Sequence, residues 1–180
     1  PARRASYAII PYQGPHGTRR RPIYIECRKE AVVLQPEGAV LRPEDFEGPL
    51  GEGNALAAAV RATREYWAAR RRAPLGDDDE PYPLLLVRPD GIEAYYAARD
   101  ALRSWGPDFG YELIGQDWDL QFPPPDPELA RIVAREIQAA RARQELLAEI
   151  APRYAGGRRP TYRAGTRGIV REDGADAGPD

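Results

Sequence analysis

Between Pro83 and Ile114 the spacing of apolar positions changes twice, and the rest of the chain is organised around that stretch. Leu84-Leu85-Leu86-Val87 is a short unbroken apolar run bounded by Pro83 and Pro89, the signature of a buried strand. Arg88-Pro89-Asp90-Gly91 predicts a turn: Pro89 holds Arg88 extended, and Asp90-Gly91 supplies the bend and a helix cap. Ile92, Tyr95, Ala98, Leu102 and Trp105 then recur at helical spacing, Gly106-Pro107 ends the helix, and Phe109 to Ile114 predicts a second strand. The unit is a strand–helix–strand crossover.

Upstream, Ile23 to Arg28 alternates, with Ile23, Ile25 and Cys27 assigned inward and Tyr24, Glu26 and Arg28 outward; Ala31 to Gln35 is its expected hairpin partner. Val40-Leu41 predicts a brief edge strand. Leu56, Ala59, Val60, Thr63 and Trp67 form the stripe of a helix capped by Asn54. Downstream, 118–122 predicts a last strand, Pro123 to Pro125 a stiff spacer, and Asp126-Pro127 a strong helix start. That helix runs to about Ala151 with a narrow stripe through Leu129, Val133, Ile137, Ala140, Gln144 and Leu147, which predicts packing at least partly against a second copy or another protein.

The predicted fold class is α+β: a small mixed sheet of four or five strands with two helices on one face, plus a long C-terminal helix. Residues 1–21 read as an arm, 22–122 as the domain, 123–152 as spacer and helix, and 153–180 as a flexible tail, most of it without regular structure.

Composition adds mostly exclusions. The chain has 180 residues, 42% apolar, enough for one real core, and its 26 basic residues against 28 acidic ones give no reason to expect a nucleic-acid partner. A single cysteine, Cys27, rules out a disulfide between cysteines of this chain, and one histidine, His16, sits in the Gly/Pro-rich arm where a catalytic base lacks held geometry. Neither a metal site nor a cofactor is expected: cysteine and histidine do not cluster, and no P-loop lysine or dinucleotide glycine pattern occurs. No apolar run is long enough to span a membrane. The acidic run Asp77 to Glu80 lacks calcium-loop spacing, and the arginine triplets at 19–21 and 70–72 flank a strand and end a helix. Glu26 and Glu112, on the outer face of neighbouring or opposite strands, are the one pair to weigh for carboxylate chemistry. Arg88, Pro89, Asp90 and Gly91 are assigned to the structural turn, with Asp90 accepting from the amide of Ile92 or Glu93. Tyr96, Glu26, Glu112, Arg131 and Arg135 are the candidate partner-binding residues.

The order hairpin, helix, strand, Asp-containing turn, helix, strand, with Tyr95 five residues after Asp90 and Gly106 ending the helix, resembles the periplasmic domain of the ExbD/TolR family over roughly 22–122. Members typically carry Ala where this chain has Pro89. The resemblance implies a non-enzymatic cell-envelope module, usually a homodimer. Such a module partners a proton-channel-type membrane subunit (ExbB/TolQ/MotA) and binds peptidoglycan or a partner protein. The family's essential membrane Asp has no counterpart here, so proton coupling is assigned to no residue. A periplasmic or envelope location follows if a membrane anchor precedes Pro1, and a cytoplasmic one otherwise. The alternatives are a cytosolic adaptor using the C-terminal helix and, further off, a hydrolase using Glu26 and Glu112.

Overall fold

The computed structural model describes residues 20–48, 50–71, 80–105 and 109–150, together with the main chain of the strands 6–8, 162–165 and 168–171. In chain order the elements are β1 (Ser6–Ala8), β2 (Pro22–Arg28), β3 (Ala31–Gln35), β4 (Ala39–Leu41), α1 (Ala55–Ala69), β5 (Tyr82–Val87), α2 (Ile92–Ala101), β6 (Gly110–Leu113), β7 (Asp119–Gln121), α3 (Pro127–Ile150), β8 (Tyr162–Gly165) and β9 (Gly168–Arg171). Short 3-10 turns cover Pro43–Phe46, Pro89–Gly91 and Arg103–Trp105.

The central sheet is mixed and five-stranded, in the order β4-β3-β2-β5-β6. β2 and β3 form the expected antiparallel hairpin, and β2, β5 and β6 run parallel. Both parallel steps move across the sheet in the same direction, so two right-handed crossovers must lay α1 and α2 on the same face. Their buried residues do join one core with Ile23, Ile25, Cys27, Leu85 and Val87 from that face. Asn54 caps α1 as expected, accepting from the Ala57 amide (2.9 Å), and its Nδ2 also donates to the Ala101 carbonyl at the end of α2 (2.8 Å).

Expectations are corrected at two places, and α3 is better covered than its narrow stripe implied: Leu129, Val133, Ile137 and Ala140 are buried in the chain's own core, with α3 lying along α1. The single stripe read for α1 was too narrow, because Ala55, Ala57 and Ala62 are buried as well. At 100° per residue these positions cover well over half the circumference, so α1 has the sheet on one side and α3 on another. Side chains fasten the two ends of α3: Tyr66 Oη donates to Asp126 Oδ2 (2.6 Å), and Arg141 binds buried Asp45 through both oxygens (2.6 and 2.8 Å). At its C-terminal end Leu146, Leu147 and Ile150 are exposed.

The segment 118–122 is not a sixth strand of the sheet. β7 pairs in parallel with β1, Tyr7 opposite Leu120, so the segment read as an arm contributes a strand. Leu120 and Phe122 pack on the second face of the sheet, against Tyr24, Leu84, Leu86 and Ile114. Of the outward residues of β2, Tyr24 and Glu26 are therefore covered, while Arg28 stays exposed. Within the tail, most of which was expected to lack regular structure, β8 and β9 pair as an antiparallel hairpin.

Tyr24 shows what that cover costs. Its ring packs on Phe122 (5.5 Å between centroids), while its hydroxyl is buried with no hydrogen-bond partner among the described residues. Burial pushes its pKa up to about 12. Tyr24→Phe removes an unsatisfied polar group and keeps the ring, so it should raise stability by about 1 kcal/mol, read as a higher denaturation midpoint in urea with an unchanged slope.

Candidate functional site

The candidate residues fall into two places with opposite characters. The first is a closed network at the end of the sheet. Glu26, expected on an open face, is fully buried. Its Oε1 accepts from Arg88 Nε (2.7 Å), and its Oε2 accepts from Arg28 (2.7 Å) and from the Gln35 amide (2.8 Å). Burial pushes the Glu26 carboxyl up, but the three donors from Arg28, Gln35 and Arg88 outweigh it and hold the group below its ordinary range. Arg88 turns its remaining donors to the loop after β6, reaching the carbonyls of Gly115 (3.0 Å), Gln116 (2.7 Å) and Trp118 (3.1 Å). It is a staple that fixes where the chain leaves β6 and crosses the second face.

Asp90 belongs to the same fastening and does not cap α2. The N-cap position is Gly91, without a side-chain cap, because the intervening 3-10 turn moves the helix start one residue on. Asp90 instead exchanges two hydrogen bonds with Gln116: its carboxylate accepts from Nε2 (2.9 Å) and its amide donates to Oε1 (3.2 Å). Pro89 opens the 3-10 turn. Gly91 lies so close to β2 that a β-carbon there would sit 2.1 Å from the Cys27 carbonyl oxygen.

The paired-acid geometry is absent. Across the sheet Glu26 aligns with Leu86 and Leu86 with Glu112, so the two acids stand two strands apart, about 10 Å between Cα atoms. Glu26 is occupied by its two arginines and Gln35, whereas Glu112 is exposed. Arg131 and Arg135 are exposed on α3, engaged with the Pro127 carbonyl and with Glu136. They lie apart from the other candidates.

A second titratable cluster, which the sequence reading did not single out, joins α3 to the core. Tyr66 and Asp126 share a short hydrogen bond that lowers the Asp126 pKa and pushes Tyr66 up to about 12. Glu37 is raised by burial, with the nearby Asp126 charge adding to the effect. Asp126 also caps α3 through the amides of Glu128 and Leu129, so its oxygens are already engaged in structure. Among the described residues no group of three or more potential metal ligands occurs. An open groove of about 730 Å³ beside α2 has an apolar floor including Val32, Leu41 and Phe46 and a rim mixing Lys29 with Glu44 and Glu93. His16 and residues 77–79 of the acidic run lie outside the described residues.

The second place is open. α2 packs chiefly over β2 and β3, which leaves the edge strand β6 only partly covered. Tyr111 and Leu113 are 59% and 76% exposed, and Ile92 at the start of α2 is 50% exposed. Tyr111 packs on Tyr95 (5.8 Å between centroids), Tyr95 on Tyr96 (5.3 Å), and the Arg99 guanidinium lies over the Tyr96 ring (5.0 Å). Of the expected partner-binding residues, Tyr96 belongs to this patch and Glu112 shares its strand, on the alternate face. Tyr111, Leu113 and Ile92 were missed. The alternation Tyr111-Glu112-Leu113-Ile114 names the strand but carries no mark that it closes the sheet.

The chain matches no protein-family model, and no curated protein or solved structure matches it. The resemblance to the ExbD/TolR domain stays an expectation from element order and spacing. Among the described residues no helix is long and apolar enough to cross a membrane.

Proposed function

We propose that the chain is a non-enzymatic interaction module that works by adding an extended strand to the free edge of its sheet. One observation carries this reading: among the described residues β6 ends the sheet with its outer edge unpaired, flanked by the exposed side chains of Tyr111, Leu113 and Ile92. An uncovered strand edge beside an apolar patch is a template for another strand, supplying main-chain affinity and side-chain pockets together. The Glu26 network, by contrast, is spent on holding the fold.

The test is a random-peptide display selection on chain immobilised too sparsely for copies to meet. Extended peptides with alternating apolar residues should be enriched, and Leu113→Arg should abolish the enrichment without changing the melting profile. No enrichment, or enrichment indifferent to Leu113→Arg, rules the reading out.

The resemblance narrows this to an envelope module of an ion-driven complex, homodimeric and bound to peptidoglycan or a partner protein. What supports the narrower form is a mixed sheet with both crossover helices on one face. In-cell cross-linking to a proton-channel-type subunit tests it. The adaptor reading is favoured by a separate observation, the exposed Leu146, Leu147 and Ile150 at the end of α3.

A further inference from the structure

We propose that the cleft between α1 and α3 is a binding site for a small phosphate monoester with an apolar body about the size of one aromatic ring. It lies among helices and owes nothing to the edge strand β6.

The cleft follows from the way the two helices meet. Tyr66 near the end of α1 bonds Asp126 just before α3, and Arg143 near the end of α3 reaches Gly53 just before α1, so the helices run antiparallel. Their open seam holds a cleft of about 320 Å³, within the size range of small-ligand sites. Ala58 and Ala62, one turn apart on α1, and Ile132 on α3 give it an apolar floor. Arg61 and Arg70 from α1 and Arg135 and Arg143 from α3 stand around that floor, against two acids, Glu65 and Glu136. The whole chain carries a net charge of -2, so the cleft has the opposite sign to the molecule that holds it.

The four cations are not equivalent. Arg70 pairs with Glu128 (2.7 Å) and Arg135 with Glu136 (3.1 Å). Among the described residues Arg61 and Arg143 pair with no carboxylate. Arg61 Nη2 donates to the Glu52 carbonyl (3.0 Å), and Arg143 Nη1 donates to the Gly53 carbonyl (3.1 Å). These carbonyls belong to consecutive residues, whose Cα atoms lie about 3.8 Å apart. The main chain thus gathers one guanidinium from each helix at the same end of the cleft, and most of their donors remain for a ligand.

Two like charges held together without a carboxylate repel, and an anion seated between them relieves the repulsion. Guanidinium forks fit phosphate and carboxylate oxygens alike. Charge favours phosphate: a monoester carries about -1.5 to -2 at neutral pH, which answers two guanidiniums where a single carboxylate answers one. The floor sets the rest of the ligand. The side chains of Ala58, Ala62 and Ile132 offer no hydrogen bond to a sugar or a polar chain, so the body lying on them is apolar.

The test titrates phenyl phosphate, inorganic phosphate and inorganic sulfate separately into the intact chain, followed by amide chemical shifts. Phenyl phosphate should saturate with shifts centred on residues 58–62, 132 and 143, and bind roughly tenfold more tightly than inorganic phosphate. Arg61 and Arg143 are exposed, so Arg61→Ala and Arg143→Ala should keep the parent's melting profile while each weakens phenyl phosphate by about tenfold or more. Arg131→Ala removes an exposed arginine of α3 that does not line the cleft, and should leave binding unchanged. Absence of saturable shifts up to about 10 mM phenyl phosphate overturns the proposal. So does binding indifferent to both Arg61→Ala and Arg143→Ala. Equal affinity for phenyl phosphate and sulfate would show a general attraction of anions to a basic surface, and overturns it as well.

Discussion

Gly91→Ala is expected to destabilise the domain by about 3 kcal/mol or more, a loss visible as a melting temperature lowered by roughly 10 °C. The backbone of Gly91 has an ordinary negative φ, so the cost is one of space. An added methyl would lie 2.1 Å from the Cys27 oxygen and 2.5 Å from its carbon, and both atoms belong to the backbone of a central strand. No side chain can rotate to make room. Either the 3-10 turn lifts off β2 or β2 shifts, and the turn carries with it the start of α2 and the neighbouring Arg88. The Arg88 amide also donates to that same Cys27 carbonyl (3.1 Å), so the displacement breaks a ladder bond as well. A thermal melt of Gly91→Ala within 2 °C of the parent would show that the turn yields cheaply and that this account is wrong.

Glu26→Gln should cost about 3 kcal/mol, because it leaves two guanidinium groups facing a neutral amide in a covered site. Arg88 is the partner that suffers, its side chain being only 11% exposed, while Arg28 is 47% exposed and reaches water. Arg28→Ala should accordingly cost no more than about 1 kcal/mol. The pH dependence has a definite sign. The folded Glu26 carboxyl sits below its unfolded value, so its contribution is complete above the unfolded carboxylate range, near 4.3, and is lost as pH falls through the lower folded value. The stability gap between parent and Glu26→Gln should be constant from pH 6 to 8 and shrink below about pH 4. A gap that widens in acid would mean the carboxyl is raised, with burial outweighing its three donors.

What the sequence disclosed and what it withheld divide along one line, between local period and long-range cover. Alternation at Ile23, Ile25 and Cys27, the apolar run at 84–87, and the Asn54 and Asp126 caps are local signals, and each lies in the element it announced. The two helices on one face followed from a chirality rule once the parallel strands were recognised. Alternation also put Glu26 on the face away from Ile25, correctly, but it cannot say whether that face meets water. The answer depended on a three-residue pairing of β7 with residues 6–8, more than a hundred positions away. α3 escaped for a related reason. Its docking surface on α1 includes alanines, whose small side chains read as neutral spacing and here permit close helix contact. Asp90 was assigned to the cap by its place before a helix, and a single 3-10 turn was enough to free it for Gln116. The edge of the sheet was the least legible feature, since being last in a sheet is a property of topology and leaves no residue pattern.

The clamp between Arg141 and Asp45 has a consequence in time. The two residues are separated by 96 positions, and the Tyr66–Asp126 bond at the other end of α3 spans 60. The β2–β3 hairpin and the β5–α2–β6 unit join near neighbours and are expected to form before α3 docks. Until then the alanine side of α1 has no cover. Docking of α3 is therefore expected as the late event in refolding. Weakening it with Asp45→Asn should accelerate unfolding while leaving the folding rate almost unchanged.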